Sequence, residues 1–169
     1  RYGRLYVRVA DPFSMSEVMQ DLGYTQEDLS KTGPRRELAQ AAALRNFERI
    51  NEVTIVTPSA VLATVILTER NNSLTERELA NRCIWLVALL EAYGANLSDF
   101  VSTWQKEDHL SPMETTLLGR TIRAFEKGGR ISCRSGDAGR TYQIKEEQRL
   151  PLDYYKNNII HFLVPSSFV

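Results

Sequence analysis

The strongest constraint on the fold is a stretch that is apolar on nearly every side. Thr57-Pro58 is an N-cap followed by a first-turn proline, and the residues after it predict a helix through Leu67. A helix that is apolar all round has no side that can face water. We therefore expect it to be the central, buried helix of a globular fold.

Composition is typical of a soluble globular chain and points to no charged partner. The 169 residues are 43% apolar and 25% charged, and 21 lysines and arginines balance 21 aspartates and glutamates. A net charge of zero gives no reason to expect nucleic acid or an anionic membrane surface as the main partner. The longest apolar run, residues 83–90, is far shorter than the roughly 20 residues of a membrane-spanning helix.

Local signals predict a short helix and a longer one before the central helix. Ser14 and Glu17 form a capping box, and the helix that they start should stop near Gly23. A loop with a turn of helix is expected over residues 24–33, and Pro34 then occupies a first helical position. The helix after it has one apolar face, formed by Ala39, Ala42, Ala43, Phe47 and Ile50.

Two of the helices predicted after the central one have clear capping signals. Residues 71–73 predict a turn, and residues 75–78 form a second capping box. The helix that follows should end at Gly94. Its apolar side is formed by Leu79, Cys83, Leu86, Leu90 and Tyr93. Residues 111–114, Ser-Pro-Met-Glu, are the strongest predicted helix start, and that helix should extend to Gly128-Gly129.

Apolar and polar residues alternate with a period of two, as in β-strands, at both ends of the helical region. Residues 4–10 predict a strand that Asp11-Pro12 ends, and its sheet partners must lie elsewhere because one strand cannot form a sheet alone. Alternation on both sides of a turn at residues 135–139 predicts a β-hairpin near 131–144. A last helix should begin near Leu152, and Pro165 should end or kink it.

These elements predict a mostly α fold with one β-hairpin, of the α+β class. Residues 74–144 have the order helix, helix, helix, hairpin, which is that of a winged-helix module.

A winged-helix DNA-binding module is therefore an alternative function. Two observations weigh against it. The helix that would contact DNA carries both signs of charge, so it is not a basic stripe. Its charged residues are Glu114, Arg120, Arg123, Glu126 and Lys127. The hairpin arginines Arg130, Arg134 and Arg140 are expected to be solvated.

A cluster of polar residues near the end is the most informative candidate site. On a helix, Tyr154, Asn157, Asn158 and His161 share one face. The opposite face is apolar, with Leu152, Tyr155, Ile159 and Phe162. The favoured interpretation of the polar face is a buried hydrogen-bonded network that docks the helix. A ligand-facing site and a solvated face are the alternatives.

The chain carries no catalytic machinery that we can identify from its residues. The interval between His109 and Glu114 resembles a His-x4-Asp pair, but a proline and a helix cap fall between the two, so we interpret His109 as a surface histidine. Cys83 and Cys133 lack a CxxC pairing and a neighbouring histidine. They are expected to be buried, reduced thiols of a cytosolic protein and not zinc ligands.

Three segments resemble the glycerol-3-phosphate acyltransferases and their dihydroxyacetone-phosphate relatives. The specific one is Leu152-Asp-Tyr-Tyr-Lys-Asn-Asn-Ile-Ile-His161, which is similar to that family's YYRNN-(I/L)-x-H segment. Residues 2–14 resemble the strand that follows the last acyltransferase block, although Val9-Ala10 departs mildly from the family pattern. The third segment comprises residues 50–58 and 74–79, which resemble the helical region beyond that strand, where "RIN" and "LT-x-x-(E/Q)-L" recur.

The resemblance implies that the chain is a piece of a longer enzyme. Residues 1–33 would be the end of the acyltransferase domain, and residues 34–169 a helical C-terminal domain that is truncated at its end. The full-length enzyme would transfer a fatty acyl group from acyl-CoA or acyl carrier protein to the sn-1 hydroxyl of glycerol 3-phosphate. Its His-x4-Asp motif would lie upstream of Arg1, so no catalytic residue carries over.

The resemblance implies no metal and no redox cofactor, and it also implies partners and a location. The full-length enzyme would work at the cytoplasmic face of the membrane, where it contacts the membrane surface. The present segment would cover or buttress the acyltransferase domain and would be inactive alone. Tyr154, Asn157, Asn158 and His161 are the candidate substrate-binding residues, and no nucleic acid partner is expected.

Overall fold

The structure, a computed structural model, describes residues 5–69, 73–104, 116–136 and 139–164. The chain divides into two compact units, Arg1–Thr54 and Ile55–Val169. The domain boundary predicted between residues 33 and 34 falls inside a helix that spans Thr32–Val53. The assignment of residues 1–33 to an acyltransferase domain stays a prediction.

The first unit contains two α-helices joined by a short turn. They are α1, Met15–Asp21, and α2, Thr32–Val53, with a 3-10 turn at Asp28–Ser30 between them. The capping box predicted for α1 is confirmed, since the Ser14 hydroxyl accepts from the Glu17 amide and the Glu17 carboxylate accepts from the Ser14 amide. Pro34 lies in the first turn of α2, two residues after its start.

Polar contacts at the surface join these two helices. The Arg45 guanidinium is paired with the Asp21 carboxylate, and the Tyr24 hydroxyl donates to the Glu37 carboxylate. Among the described residues of this unit, Val18 and Leu38 are the only buried ones. The unit therefore has very little apolar core.

The strand predicted for residues 4–10 is not formed within the described part of the chain. Residues 5–10 belong to no strand and pair with none of the described strands. Strand geometry is stable only when a neighbouring strand satisfies its backbone groups. No such neighbour is found among the described residues.

The second unit is built around α3, Pro58–Leu67. Every residue from Ala60 to Ile66 is buried, which confirms the central helix predicted from the sequence. The Thr57 hydroxyl caps the helix by accepting from the Ala60 amide. Thr64 is buried with them, and its hydroxyl donates to the Ala60 carbonyl at 2.8 Å, so no polar group of this side chain lacks a partner.

Helices and two small sheets surround α3. The helices are α4 (Glu76–Ala92), α5 (Asp99–Trp104), α6 (Leu117–Lys127) and α7 (Arg149–Asn157). The strands are β1 (Ile55–Val56), β2 (Ser73–Thr75), β3 (Asn96–Leu97), β4 (Ile131–Gly136) and β5 (Gly139–Ile144). β1 pairs with β3 in parallel, and the other three form an antiparallel sheet in the order β2-β5-β4.

The mostly α fold with a hairpin is confirmed. β4 and β5 form the predicted hairpin, and the order of three helices and a hairpin agrees with a winged-helix module. The third strand of the sheet, β2, was not predicted. The turn predicted at residues 71–73 is wrong for Ser73, which begins β2, while Asn71 and Asn72 lie outside the described residues.

Thr75 and Glu76 connect the sheet to α4. Thr75 ends β2 and caps α4, and hydrogen bonds from its hydroxyl and amide hold the pKa of the Glu78 carboxyl below its usual value. The Tyr142 hydroxyl on β5 donates to Glu76 Oε2 at 2.9 Å. Burial, followed by this hydrogen bond, raises the pKa of Tyr142. The sheet is therefore joined to the first turn of α4 by side chains as well as by packing.

α6, which Gly128 follows, begins later than the sequence predicts. α6 starts at Leu117, and the Thr116 hydroxyl caps it by accepting from the Gly119 amide at 3.0 Å. The predicted start at residues 111–114 lies outside the described residues, as do His109 and Glu114.

Truncation of the central helix should destabilise the second unit strongly. Leu62 is fully buried, so Leu62→Ala should lower the free energy of unfolding by about 2–5 kcal/mol, because it leaves a cavity. Urea unfolding followed by tryptophan fluorescence measures this unit alone, since both tryptophans, Trp85 and Trp104, belong to it. The matched control is Leu150→Ala at a side chain that is 80% exposed, which should change stability by less than about 0.5 kcal/mol. Equal effects of the two substitutions would contradict a core centred on α3.

Candidate functional site

The segment that carries the candidate residues is a helix followed by a turn, not one continuous helix. α7 spans Arg149–Asn157, and a 3-10 turn follows at Ile160–Phe162. α7 thus begins three residues before the predicted start at Leu152, and Pro165 lies outside the described residues. Because α7 ends at Asn157 and His161 lies in the 3-10 turn, the prediction that one continuous helix carries the four polar candidates is wrong.

The apolar side of this segment docks it onto the core. Leu152 and Ile159 are fully buried, and Tyr155 and Phe162 pack partly buried against the same core. These are the four residues that the sequence placed on the apolar face, so this prediction is confirmed. Burial of these apolar side chains therefore contributes to holding α7 in place.

The polar candidates face solvent for the most part. Tyr154 is 71% exposed, and Asn157 and Asn158 are exposed as well. His161 is half-buried, with its ring centroid 4.0 Å from that of Phe162. A buried network of these four side chains, the favoured interpretation from sequence, is therefore not formed. Their role in substrate binding stays a prediction.

Tyr155 instead joins α7 to the corner between α6 and β4. Arg130 Nη2 donates to the Tyr155 hydroxyl at 3.2 Å, and the guanidinium carbon lies 5.6 Å from the Tyr155 ring centroid and 5.5 Å from that of Phe125. Such cation–π contacts stabilise a guanidinium that is partly removed from water. The prediction that the hairpin arginines are solvated is therefore wrong for Arg130, while Arg134 and Arg140 are exposed.

The thiols are not suited to nucleophilic chemistry. Cys83 is buried, and burial raises the pKa of its thiol far above the usual value. Cys133 is only half-buried, contrary to prediction, and its pKa is also raised, mainly by burial and then by the negative charge of Glu126. A reactive cysteine needs a lowered pKa, so neither is a candidate nucleophile.

The described residues contain no metal site and no spanning helix. Within residues 5–69, 73–104, 116–136 and 139–164, no group of three His, Cys, Asp or Glu side chains could hold a metal ion. None of the helices in that part of the chain is both long enough and apolar enough to cross a membrane.

An apolar groove runs between α3 and α4, with a volume of about 340 Å³. Three of its polar side chains are already engaged. The Thr64 and Thr68 hydroxyls donate to backbone carbonyls at 2.8 Å, and Arg82 is paired with Glu69. Acyl transfer needs a general base or an activated nucleophile, and the groove presents neither.

Comparison with known proteins decides the family. The whole chain, residues 1–169, matches the family described as glycerol-3-phosphate acyltransferase C-terminal region. The chain belongs to this family. The resemblance drawn from the three sequence segments is thereby confirmed, and this acyltransferase C-terminal region includes the segment that carries the polar candidates.

The relatives are much longer than this acyltransferase C-terminal region. The protein plsB1 of Mycobacterium tuberculosis, named as an acyltransferase, is 27% identical over 165 residues, as is plsB1 of Mycobacterium bovis. The glycerol-3-phosphate acyltransferase of Alteromonas mediterranea is 22% identical over 173 residues. The match covers 97% of this chain in each case, but only 24% of plsB1 and 19% of the Alteromonas protein. No solved structure gives a significant match.

Removal of one hydroxyl should test how α7 is fixed in this acyltransferase segment. Tyr155→Phe keeps the ring but removes the acceptor for Arg130, so the free energy of unfolding should fall by about 1 kcal/mol. Tyr154→Phe is the matched control, because that side chain is 71% exposed and should tolerate the change within about 0.5 kcal/mol. Urea unfolding of both variants measures the difference. A stable Tyr155→Phe variant would show that the ring contacts alone fix the helix.

Proposed function

We propose that this chain is the C-terminal part of an enzyme that transfers a fatty acyl group to the sn-1 hydroxyl of glycerol 3-phosphate. The acyl donor would be acyl-CoA or acyl carrier protein, and the product would serve phospholipid biosynthesis. The observation that carries this proposal is the match of all 169 residues to a family described as the C-terminal region of such enzymes.

In this proposal the chain has a structural role and the chemistry lies elsewhere in the enzyme. The described residues hold a buried thiol, Cys83, and a half-buried one, Cys133, both of raised pKa. They also hold a groove in which three polar side chains are engaged, and exposed polar residues on and just after α7. The catalytic His-x4-Asp motif would precede Arg1. Its histidine would act as general base on the acceptor hydroxyl, and its aspartate would orient the imidazole ring.

The polar residues after Leu152 would then form hydrogen bonds with a neighbouring domain of the enzyme. Tyr154, Asn157 and Asn158 expose hydrogen-bonding groups that the core does not need, since α7 docks through its apolar side. We propose that this polar surface packs against the acyltransferase domain near the active site. The enzyme would work as a peripheral protein at the cytoplasmic face of the membrane.

A winged-helix DNA-binding module is the second candidate, and one observation favours it. Arg120, Arg123 and Lys127 are all exposed, and their spacing places them on one side of α6. Binding to duplex DNA that weakens as salt is added would support this candidate.

An activity assay separates the proposed enzyme from its C-terminal part. The full-length enzyme should convert radiolabelled glycerol 3-phosphate and palmitoyl-CoA or palmitoyl-acyl carrier protein to 1-acylglycerol 3-phosphate, because it would contain the catalytic motif. The 169-residue chain alone should form no product. Acyl transfer by the isolated chain, or failure of the full-length enzyme with both donors, would overturn the proposal.

Substitution on the polar surface tests its role in the full-length enzyme. Asn158 is exposed, so Asn158→Leu should leave the melting temperature unchanged while it lowers activity by about tenfold, the effect of about 1.4 kcal/mol of lost interaction. Glu147→Leu is the matched control, because it replaces another exposed polar residue outside the candidate set. If both variants keep full activity, the polar surface has no part in catalysis.

A further inference from the structure

The groove between α3 and α4 is lined mainly by apolar side chains. Val65 of α3 and Leu86 and Leu89 of α4 contribute to it, and Thr64 and Thr68 lie on its α3 side. The two threonine hydroxyls donate to backbone carbonyls of α3 at 2.8 Å, so neither needs a hydrogen-bond partner in the groove. An occupant would therefore be held mainly by contacts with apolar atoms.

The size of the groove distinguishes between two kinds of apolar occupant. Nine of the described residues line it, whereas a stable protein interface uses about 20–30 residues on each side. An extended peptide would also bring backbone N–H and C=O groups for which an apolar lining has few partners. A methylene group takes up about as much space as a water molecule, roughly 30 Å³, so the volume of about 340 Å³ has room for about eleven methylenes. The groove therefore fits a single hydrocarbon chain better than a protein segment.

Two aromatic side chains and an arginine lie along the α4 side of the groove. This side extends from Arg82 to Tyr93, which is about 16 Å at the rise of an α-helix. Trp85 and Tyr93 are 66% and 62% exposed, and an exposed aromatic ring is stabilised when an apolar ligand covers it. At the other end, the Arg82 side chain is 46% exposed and is paired with Glu69 through Nη1. The other N–H groups of the guanidinium can bind an anion.

We propose that this groove binds a single-chain acylated phosphate, with the hydrocarbon chain between α3 and α4 and the anionic head group beside Arg82. The apolar lining matches the chain, and the half-exposed guanidinium matches the head group. The inference rests on the proposed function, because the acyl donor and the acylated product of that reaction both join a long chain to a phosphate-bearing group.

Chain length is the first test, with monoalkyl phosphates of 6 to 16 carbons kept below the concentration at which they form micelles. Their affinity for the 169-residue chain, measured by isothermal titration calorimetry, should rise about fourfold for each added methylene, because each one leaves water for the groove. The rise should stop near eleven carbons, when the groove of about 340 Å³ is full. An affinity that ignores chain length, or that still rises from 12 to 16 carbons, would overturn the proposal.

Trp85 reports where the ligand binds. Dodecyl phosphate should shift the tryptophan emission to shorter wavelength, because the chain displaces water from the Trp85 ring. Trp85→Phe should abolish the shift while it leaves binding measurable by calorimetry. The tryptophan that remains, Trp104, is only 1% exposed. A shift that persists in Trp85→Phe would place the ligand outside the groove.

Two pairs of substitutions test the two ends of the groove. Tyr93→Asp should weaken binding of dodecyl phosphate at least about tenfold, because it places a charge beside the chain, whereas Ala92→Asp next to it should change affinity less than about twofold. Arg82→Gln should weaken dodecyl phosphate about tenfold but leave dodecanol unchanged, and Arg77→Gln should affect neither ligand. Melting temperatures show that each variant is folded. Equal effects within either pair would contradict the assigned site.

Competition on the 169-residue chain distinguishes the two sources of the ligand. Displacement of dodecyl phosphate by lauroyl-CoA alone would identify the acyl donor, displacement by 1-lauroylglycerol 3-phosphate alone would identify the product, and displacement by both would support the chemistry that they share. Displacement by neither would overturn the proposal.

The full-length enzyme separates this inference from the proposed function. There, the Tyr93→Asp variant should bind one dodecyl phosphate fewer than the Ala92→Asp variant. Equal numbers would show that another part of the enzyme fills the groove, and would overturn the inference. A full-length enzyme that forms acylglycerol 3-phosphate, but whose C-terminal chain binds no alkyl phosphate, would uphold the function and overturn the site. Binding with the expected dependence on chain length in an inactive full-length protein would do the reverse.

Discussion

The burial of α3 is the constraint on which the second unit depends. From Ala60 to Ile66 this helix exposes almost nothing, so it must be surrounded, and α4, α6, α7 and the hairpin provide that cover. Each surrounding element contributes one apolar side and leaves the other to solvent. The buried hydroxyl of Thr64 is tolerated there because it bonds to the helix's own backbone.

The two units show how helical periodicity and a stable core are separate properties. α2 is 22 residues long and has a clear set of apolar positions, but only Leu38 of this helix is buried. α3 is less than half as long and buries seven residues in succession. Local sequence pattern is enough to specify a helix, while stability of a packed unit also depends on neighbours that cover the apolar side. The first unit therefore leaves most of the apolar side of α2 exposed.

The candidate site illustrates the same division between pattern and environment. The sequence correctly assigned Leu152, Tyr155, Ile159 and Phe162 to the buried side of the last segment. It could not predict whether the opposite side is buried, because burial there depends on elements distant in sequence. The contact of Tyr155 with Arg130 joins residues 25 positions apart and follows from no local signal. The polar side is instead exposed to solvent. Its proposed role is to contact the acyltransferase domain of the longer enzyme.

The sequence by itself determined where α1, α3 and α4 begin and end, and which family the chain belongs to. Signals for helix starts and ends act within a few residues, so they can be recognised from the sequence alone. They are the capping boxes at Ser14 and Thr75, the proline after Thr57 and the glycine at position 94. Tertiary structure alone decided that β2 completes a sheet with the hairpin, since its partner lies nearly 70 residues away along the chain. It also decided that residues 5–10 form no strand within the described chain, because the hydrogen bonds of a strand come from a neighbour and not from the strand itself.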